Sequence, residues 1–277
     1  MIQTTVRKAA KAGLGWYPGD PLELVREIAG YLRGVPEAAA PGRLIGLICP
    51  HAGLSYSGPV AAYGFSLLRG RPCATVILVG PSHRARFNGV AVYSRGAFET
   101  PLGRVPVAED LASALLAADS HLFADAGFHR DEHSLEMQLP FLQHVVGDLR
   151  IVPLLMGSQS REEVSALTGA LARVLPGRDE VLLLASSDLS HYHPAPVANR
   201  MDALVVGDVE RFDPESLRGR SIDHACGQGP MVAVMKASRA LGADRATVLR
   251  YADSGDCGEH DKGRVVGYLS AALTASA

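Results

Sequence analysis

Apolar residues in this chain gather into short unbroken runs, and longer amphipathic stretches separate them. Arg43–Cys49, Thr75–Val79, Ile151–Met156 and Val181–Ala185 are apolar, partly β-branched runs of strand length, the pattern of strands buried on both faces. Between them the period becomes helical. Pro21–Leu32 places Leu22, Val25, Ile28, Ala29 and Leu32 on one face, and Pro59–Leu68 reads as a helix with Ser57 as N-cap and Gly70 as its stop. Glu109–Ala117, Glu132–Val146 (interrupted at Pro140), Val197–Val206 and Met231–Leu241 read the same way, as does Arg161–Leu175, opened by a capping box of Ser160 and Glu163. From Gly89 to Val107 the alternation becomes an antiparallel excursion, and Ala246–Tyr251 and Arg264–Ala271 add closing strands. The expected fold is one three-layer α/β domain over residues 1–277, a mixed, mostly parallel sheet with helices on both faces.

Composition narrows the function classes. Hydrophobic residues make up 47% and charged residues 20%, with a formal charge of −2. Disorder needs the opposite balance, and nucleic-acid binding lacks its basic footprint. No apolar run approaches the roughly 18 residues of a membrane span. Arg7, Lys8 and Lys11 precede no apolar segment of the signal-peptide type. Cys49, Cys73, Cys226 and Cys257 form no CxxC pair or disulfide framework. Reduced thiols in a cytoplasmic protein are the expectation. Cys49 and Cys73 read as structural and Cys257 as a surface-loop residue.

The chemistry-bearing residues stand where strands end. His51 follows one predicted strand and His83 the next, thirty-two residues later, the length of one βαβ unit. Paired strands would put those ends about 5 Å apart, and one intervening strand about 10 Å apart. Either separation lets two imidazoles meet on one ion, and ligands of α/β sheets bind beyond the carboxyl ends of strands. A single histidine after a strand is an ordinary loop or cap residue; two at matching positions read equally as ordinary loop residues or as ligands of one ion. Gly53, Gly58 and Gly80 beside them permit close backbone approach. Asp188 and His191, in Ser187–His191, follow a third buried run. Cys226 precedes the predicted helix at Met231, where a helix N-terminus lowers a thiol's pKa. It reads either as a thiolate ligand or as a small buried hydrophobe. His133 and Glu136 stand three apart on a predicted helix, sharing a face able to orient a substrate or relay a proton. Their spacing is not His-Glu-x-x-His. His129 is a weaker candidate, and His121, His144, His193, His224 and His260 read as surface or core residues. Trp16 and Tyr17 read as anchors of the N-terminal segment.

Together these segments resemble the Memo family, also called AmmeMemoRadiSam system protein B. The resemblance rests on Gly15-Trp16-Tyr17-Pro18, Pro50-His51-Ala52-Gly53, Gly80-Pro81-Ser82-His83, Glu132–Pro140, Ser186–Tyr192, Ala225-Cys226-Gly227 and Val265–Tyr268, running in family order from about residue 7 onward. It implies the fold of class III extradiol dioxygenases, which hold non-haem iron with two histidines and a glutamate. His51 and His83 match the histidines, the third position falls on Cys226, His191 matches an acid/base histidine, and Asp188 is a further ligand or an orienter. A thiolate is softer than a carboxylate and shifts preference toward copper, zinc or a different iron redox poise. Iron is thus the first cofactor expected, with copper and zinc as alternatives. The family name also implies radical-SAM and AMMECR-type protein partners.

Three readings follow. The first is a metal protein with His51, His83 and Cys226 as ligands, performing redox or oxygenase-like chemistry on a small molecule, with His191 moving a proton and His133 and Glu136 positioning the substrate. The second is a non-enzymatic scaffold or metal-handling protein whose vestigial cleft takes a small-molecule or peptide ligand. The third is a zinc-dependent hydrolase.

Overall fold

The computed structural model describes residues 5–36, 42–70, 75–257 and 261–276; Cys73 and His260 lie outside the described residues. The first half of the chain contributes β1 (Val6–Arg7), α1 (Pro21–Arg33), β2 (Arg43–Cys49), α2 (Leu54–Ser66), β3 (Thr75–Pro81), β4 (Val90–Val92), β5 (Ala97–Thr100), β6 (Gly103–Pro106), α3 (Glu109–Ala118) and β7 (Leu122–Ala124). The second half contributes α4 (Leu139–Val145), β8 (Arg150–Met156), α5 (Arg161–Val174), β9 (Val181–Ser186), β10 (His191–His193), α6 (Ala195–Glu210), α7 (Pro214–Arg218), α8 (Gln228–Ala240), β11 (Arg245–Asp253), α9 (Ser254–Cys257) and β12 (Val265–Ala275).

The apolar runs become the centre of a large mixed sheet, ordered β10-β12-β2-β9-β3-β8-β4-β7, with β11 on the free edge of β12. The four neighbours β2, β9, β3 and β8 are parallel, as expected of runs without polar alternation. Antiparallel strands flank them: β12 beside β2 and β4 beside β8. Helix α2 covers one face with α1 and α4 against it, and α8 covers the other with α5 and α3 beyond. Among the described residues no helix is long and apolar enough to cross a membrane.

Several local expectations shift, each for a physical reason. In α1 the buried stripe is Leu24, Ile28 and Leu32, while Leu22 and Val25 are 66% and 37% exposed; α1 packs on α2 and α4 through the i, i+4, i+8 row, and the neighbouring row is left toward solvent. Helix α2 starts at Leu54 with Gly53 as N-cap and continues through Pro59, and the Ser57 hydroxyl donates to the Ala52 carbonyl instead of capping. The segment expected as one helix from Glu132 forms a 3-10 turn at Glu136–Gln138 before α4, and Pro140 sits in the first turn of α4, where its missing N–H costs nothing. Ser160 does cap α5 by accepting from Glu163 N–H, but the Glu163 carboxylate reaches Gly89, Ser158 and Gln159 instead of closing a capping box. The antiparallel excursion divides, β4 joining the main sheet while the β5–β6 hairpin forms a small sheet with β1. Cys257 is half-buried in α9, not in a surface loop.

The sheet order decides where the polar clusters meet. β9 lies between β2 and β3, so His51, Asp188 and His83 follow the carboxyl ends of three adjacent parallel strands.

Candidate metal centre

Three imidazoles converge beyond those strand ends. The rings of His51 and His83 have centroids 5.1 Å apart, His51 and His133 5.5 Å, and His83 and His133 4.5 Å. The Cys226 thiol completes the group, with Sγ 3.3 Å from His51 Nε2. Donor atoms of His51, His83 and Cys226 all lie within 4.8 Å of one another. A tetrahedral ion with metal–nitrogen bonds near 2.0 Å and a metal–sulfur bond near 2.3 Å would hold nitrogen and sulfur about 3.5 Å apart. The donor set therefore fits one ion with little rearrangement.

The protein also fixes which ring nitrogen is free. Ser186 donates its single hydroxyl proton to the Ser134 carbonyl (2.6 Å), so toward His51 Nδ1 (2.8 Å) it acts as acceptor. His51 therefore carries its proton on Nδ1 and offers a lone pair on Nε2, on the side of Cys226. Glu132 does the same for His83, accepting from its Nδ1 at 3.0 Å and from its backbone N–H. This is the outer support that metal-binding histidines require. Glu132 also accepts from the backbone of His133 and Ser134; His133 Nδ1 lies 3.2 Å from it without hydrogen-bond alignment.

Backbone packing closes the frame. His51 N–H donates to Asp188 Oδ1 at 2.7 Å, and Gln138 Nε2 donates to both the Pro50 carbonyl and Ser186 Oγ. Cys226 is clamped from both sides: its N–H donates to the Asp188 carbonyl, and its own carbonyl accepts from Gln159 Nε2 at 2.8 Å. Gly80 and Gly227 are the glycines that matter here. A Cβ on Gly80 would press on Ser134 and Leu135, and one on Gly227 would strike the Ser186 carbonyl, separating the layers that carry the donors.

Burial sets the protonation states. Desolvation, reinforced by the neighbouring His83, holds His51 well below its ordinary pKa, and His133 is lowered to about 3 by burial and by His51. Both are neutral, the ligating form. Burial alone would raise Glu132, but hydrogen bonding to His83 and the surrounding imidazoles hold it far below the usual carboxylate range. Burial raises Asp188. The Cys226 thiol is pushed up by burial and by Asp188, opposite to the lowering expected from a helix N-terminus; Gly227, not Cys226, is the N-cap of α8.

A cavity of about 640 Å³ opens over this group, lined by His51, His83, His133, Asp188 and His191 together with Trp16, Arg84 and Arg264. Glu136 is not among the residues brought to it. His133 lies ahead of the 3-10 turn and outside any helix, so the two do not share a helix face, and the Glu136 carboxylate is buried among Arg7, the backbone N–H groups of Ala10 and Lys11, and the Tyr17 hydroxyl. It anchors the N-terminal segment instead. That segment then supplies Trp16, whose ring packs on His133 at 4.6 Å, so Trp16 lines the cavity as well as fastening the segment. His129 is buried away from the cavity, with Nε2 3.1 Å from the Ala91 carbonyl.

Comparison with known proteins places this geometry in context. The family described as Memo-like protein matches residues 7–272. A MEMO1 family protein of Methanocaldococcus jannaschii is 37% identical over 286 residues, covering 96% of this chain and 98% of that protein. Another from Thermotoga neapolitana is 36% identical over 283 residues, covering 97% and 100%. One from Ignicoccus hospitalis is 38% identical over 281 residues, covering 96% and 97%. Among solved structures, an uncharacterized Escherichia coli K12 protein superposes with a TM-score of 0.55 at 17% identity, covering 83% of this chain and 100% of that one. That likeness is one of fold.

Proposed function

The chain belongs to the Memo-like family, and from that premise we propose that it is a metal protein, with His51 and His83 ligating through Nε2 and Cys226 through Sγ, acting on a small molecule in the cavity above. The observation that carries this reading is the convergence of these donors within 4.8 Å, with the Nδ1 atoms of both histidines already engaged by Ser186 and Glu132. A metal held by this set supplies Lewis-acid or redox, oxygenase-like chemistry to a bound ligand. Iron, copper and zinc all accept imidazole, and the thiolate favours the softer of them.

The chain's own residues have separable roles in this reading. Ser186 and Glu132 keep the Nε2 lone pairs aimed inward. Asp188 holds the His51 backbone and the Cys226 loop through its carboxylate and its carbonyl. His191 stands in the cavity wall on β10, where its imidazole exchanges a proton with the ligand. His133 and Trp16, packed ring against ring at a tilt in the cavity wall, position a flat ligand.

The test is metal content of untagged protein purified anaerobically, for wild type and Cys226→Ala. Near-stoichiometric metal in the wild type and its loss in a folded variant is the expected result. Equal metal in both would remove Cys226 from the ligand set. No metal in either, with no uptake on titration, would remove the centre altogether.

A further inference from the structure

The mouth of the cavity carries charge that the metal centre does not use. Arg84, directly after His83, and Arg264, just before β12, both line it. Among the described residues neither guanidinium has a carboxylate partner. Among the described residues Asp188 is the one carboxylate of the cavity lining, and it is buried on the His51 backbone; Glu132 is engaged by His83, His133 and Ser134 beneath. Among the described residues the mouth therefore has an excess of positive charge, carried on two exposed arginines.

The walls beside those arginines are aromatic. Trp16, Tyr56, Tyr192 and Tyr268 line the same cavity. Tyr192 is 63% exposed and has φ of 62°, a left-handed conformation that a bulky residue adopts at a cost of about 1–3 kcal/mol. Arg264 sits over its ring, Cζ 5.2 Å from the centroid. An exposed aromatic residue held in a strained conformation against a cation is an arrangement that folding alone does not call for.

We infer that the cavity takes a small organic anion, a planar apolar body bearing a carboxylate, with the carboxylate on Arg84 and Arg264 and the planar part against the aromatic wall. Guanidinium groups match carboxylates through paired N–H donors, and flat ligands stack on aromatic faces. The inference rests on the cavity being the ligand site, as proposed above, but not on any metal being bound.

Trp16 is the chain's single tryptophan, so intrinsic fluorescence reports this cavity. Metal-free protein titrated with benzoate and with benzamide, its neutral counterpart of the same shape, should bind benzoate at least about tenfold more tightly. Raising the salt should erode that preference. In Arg84→Gln/Arg264→Gln the two ligands should bind alike while circular dichroism and Tm stay at wild-type values, since both side chains are exposed. Equal affinities in the wild type, no response to benzoate, or a preference surviving in the double variant would each overturn the inference. An anion preference in a protein that is purified without metal and takes none up on titration refutes the metal centre alone. Stoichiometric metal without the preference refutes this inference alone.

Discussion

Ser186 has one proton to donate, and the Ser134 carbonyl takes it. That allocation decides the tautomer of His51, because a hydroxyl whose proton is engaged can only accept from Nδ1. Replacing Ser186 with alanine should free His51 to rotate or change tautomer. Metal affinity should then fall roughly 10–100-fold, and stability by about 1–3 kcal/mol, since Gln138 and the Ser134 carbonyl lose a buried partner. Metal titration and denaturant unfolding of Ser186→Ala check both, and an unchanged affinity would sink the tautomer argument. His51 and His83 are legible in the sequence because each stands within four residues of the end of an apolar run. Glu132 and Gln159 are not. Glu132 stands 49 residues from the histidine it supports, and an acidic residue ahead of a helical stretch has an ordinary explanation in the helix dipole. Gln159 reaches Cys226 across 67 residues, a proximity that no local spacing encodes.

Among the elements, strands were read more faithfully than helix starts. An unbroken apolar run such as Val181–Ser186 has one physical use, whereas Pro59 and Pro140 each fit more than one helical register. The reading that put Glu136 on a helix face with His133 failed for that reason, and its replacement has consequences. The segment from β1 to Tyr17 is strapped down by Glu136, with its ion pair to Arg7 buried on both sides, and the Trp16 carbonyl accepts from Leu54 N–H at the start of α2. Removing one member of a buried pair leaves the other charge uncompensated, at a cost of about 3–5 kcal/mol. Glu136→Leu should therefore lose stability of that order, and its tryptophan emission should shift to the red as Trp16 leaves His133. Wild-type emission and stability in the variant would show that the strap is held by other contacts.

At the scale of the whole molecule, neutral buried histidines make stability depend on pH. His129 and His133 are lowered to about 3, chiefly by burial, and His51 is held well below its ordinary value. Well above pH 6.5 these residues are neutral in folded and unfolded chains alike and contribute no slope. Below it the unfolded chain takes up protons that the folded one refuses. Stability then falls as pH falls, by up to about 1.4 kcal/mol per pH unit for each histidine. Asp188 and Asp202, raised by burial, act in the opposite sense. Metal-free protein should accordingly lose stability from pH 7 to pH 5, and His129→Gln should show a slope shallower by one proton in denaturant titrations at each pH. An identical slope would mean that His129 titrates normally in the fold.

The order of the strands also governs when the centre can come into being. β2, which leads to His51, receives its antiparallel neighbour only from β12, and Cys226 follows His51 by 175 residues. At about 5–20 residues per second of synthesis, the two histidines leave the ribosome on the order of ten seconds or more before the thiol. During that interval β2 has an unpaired edge and any captured ion has only imidazole donors. On the proposed reading a nascent chain is thus a poor metal trap, and an ion bound at the centre would be chosen by the finished protein in competition with the surrounding metal pool.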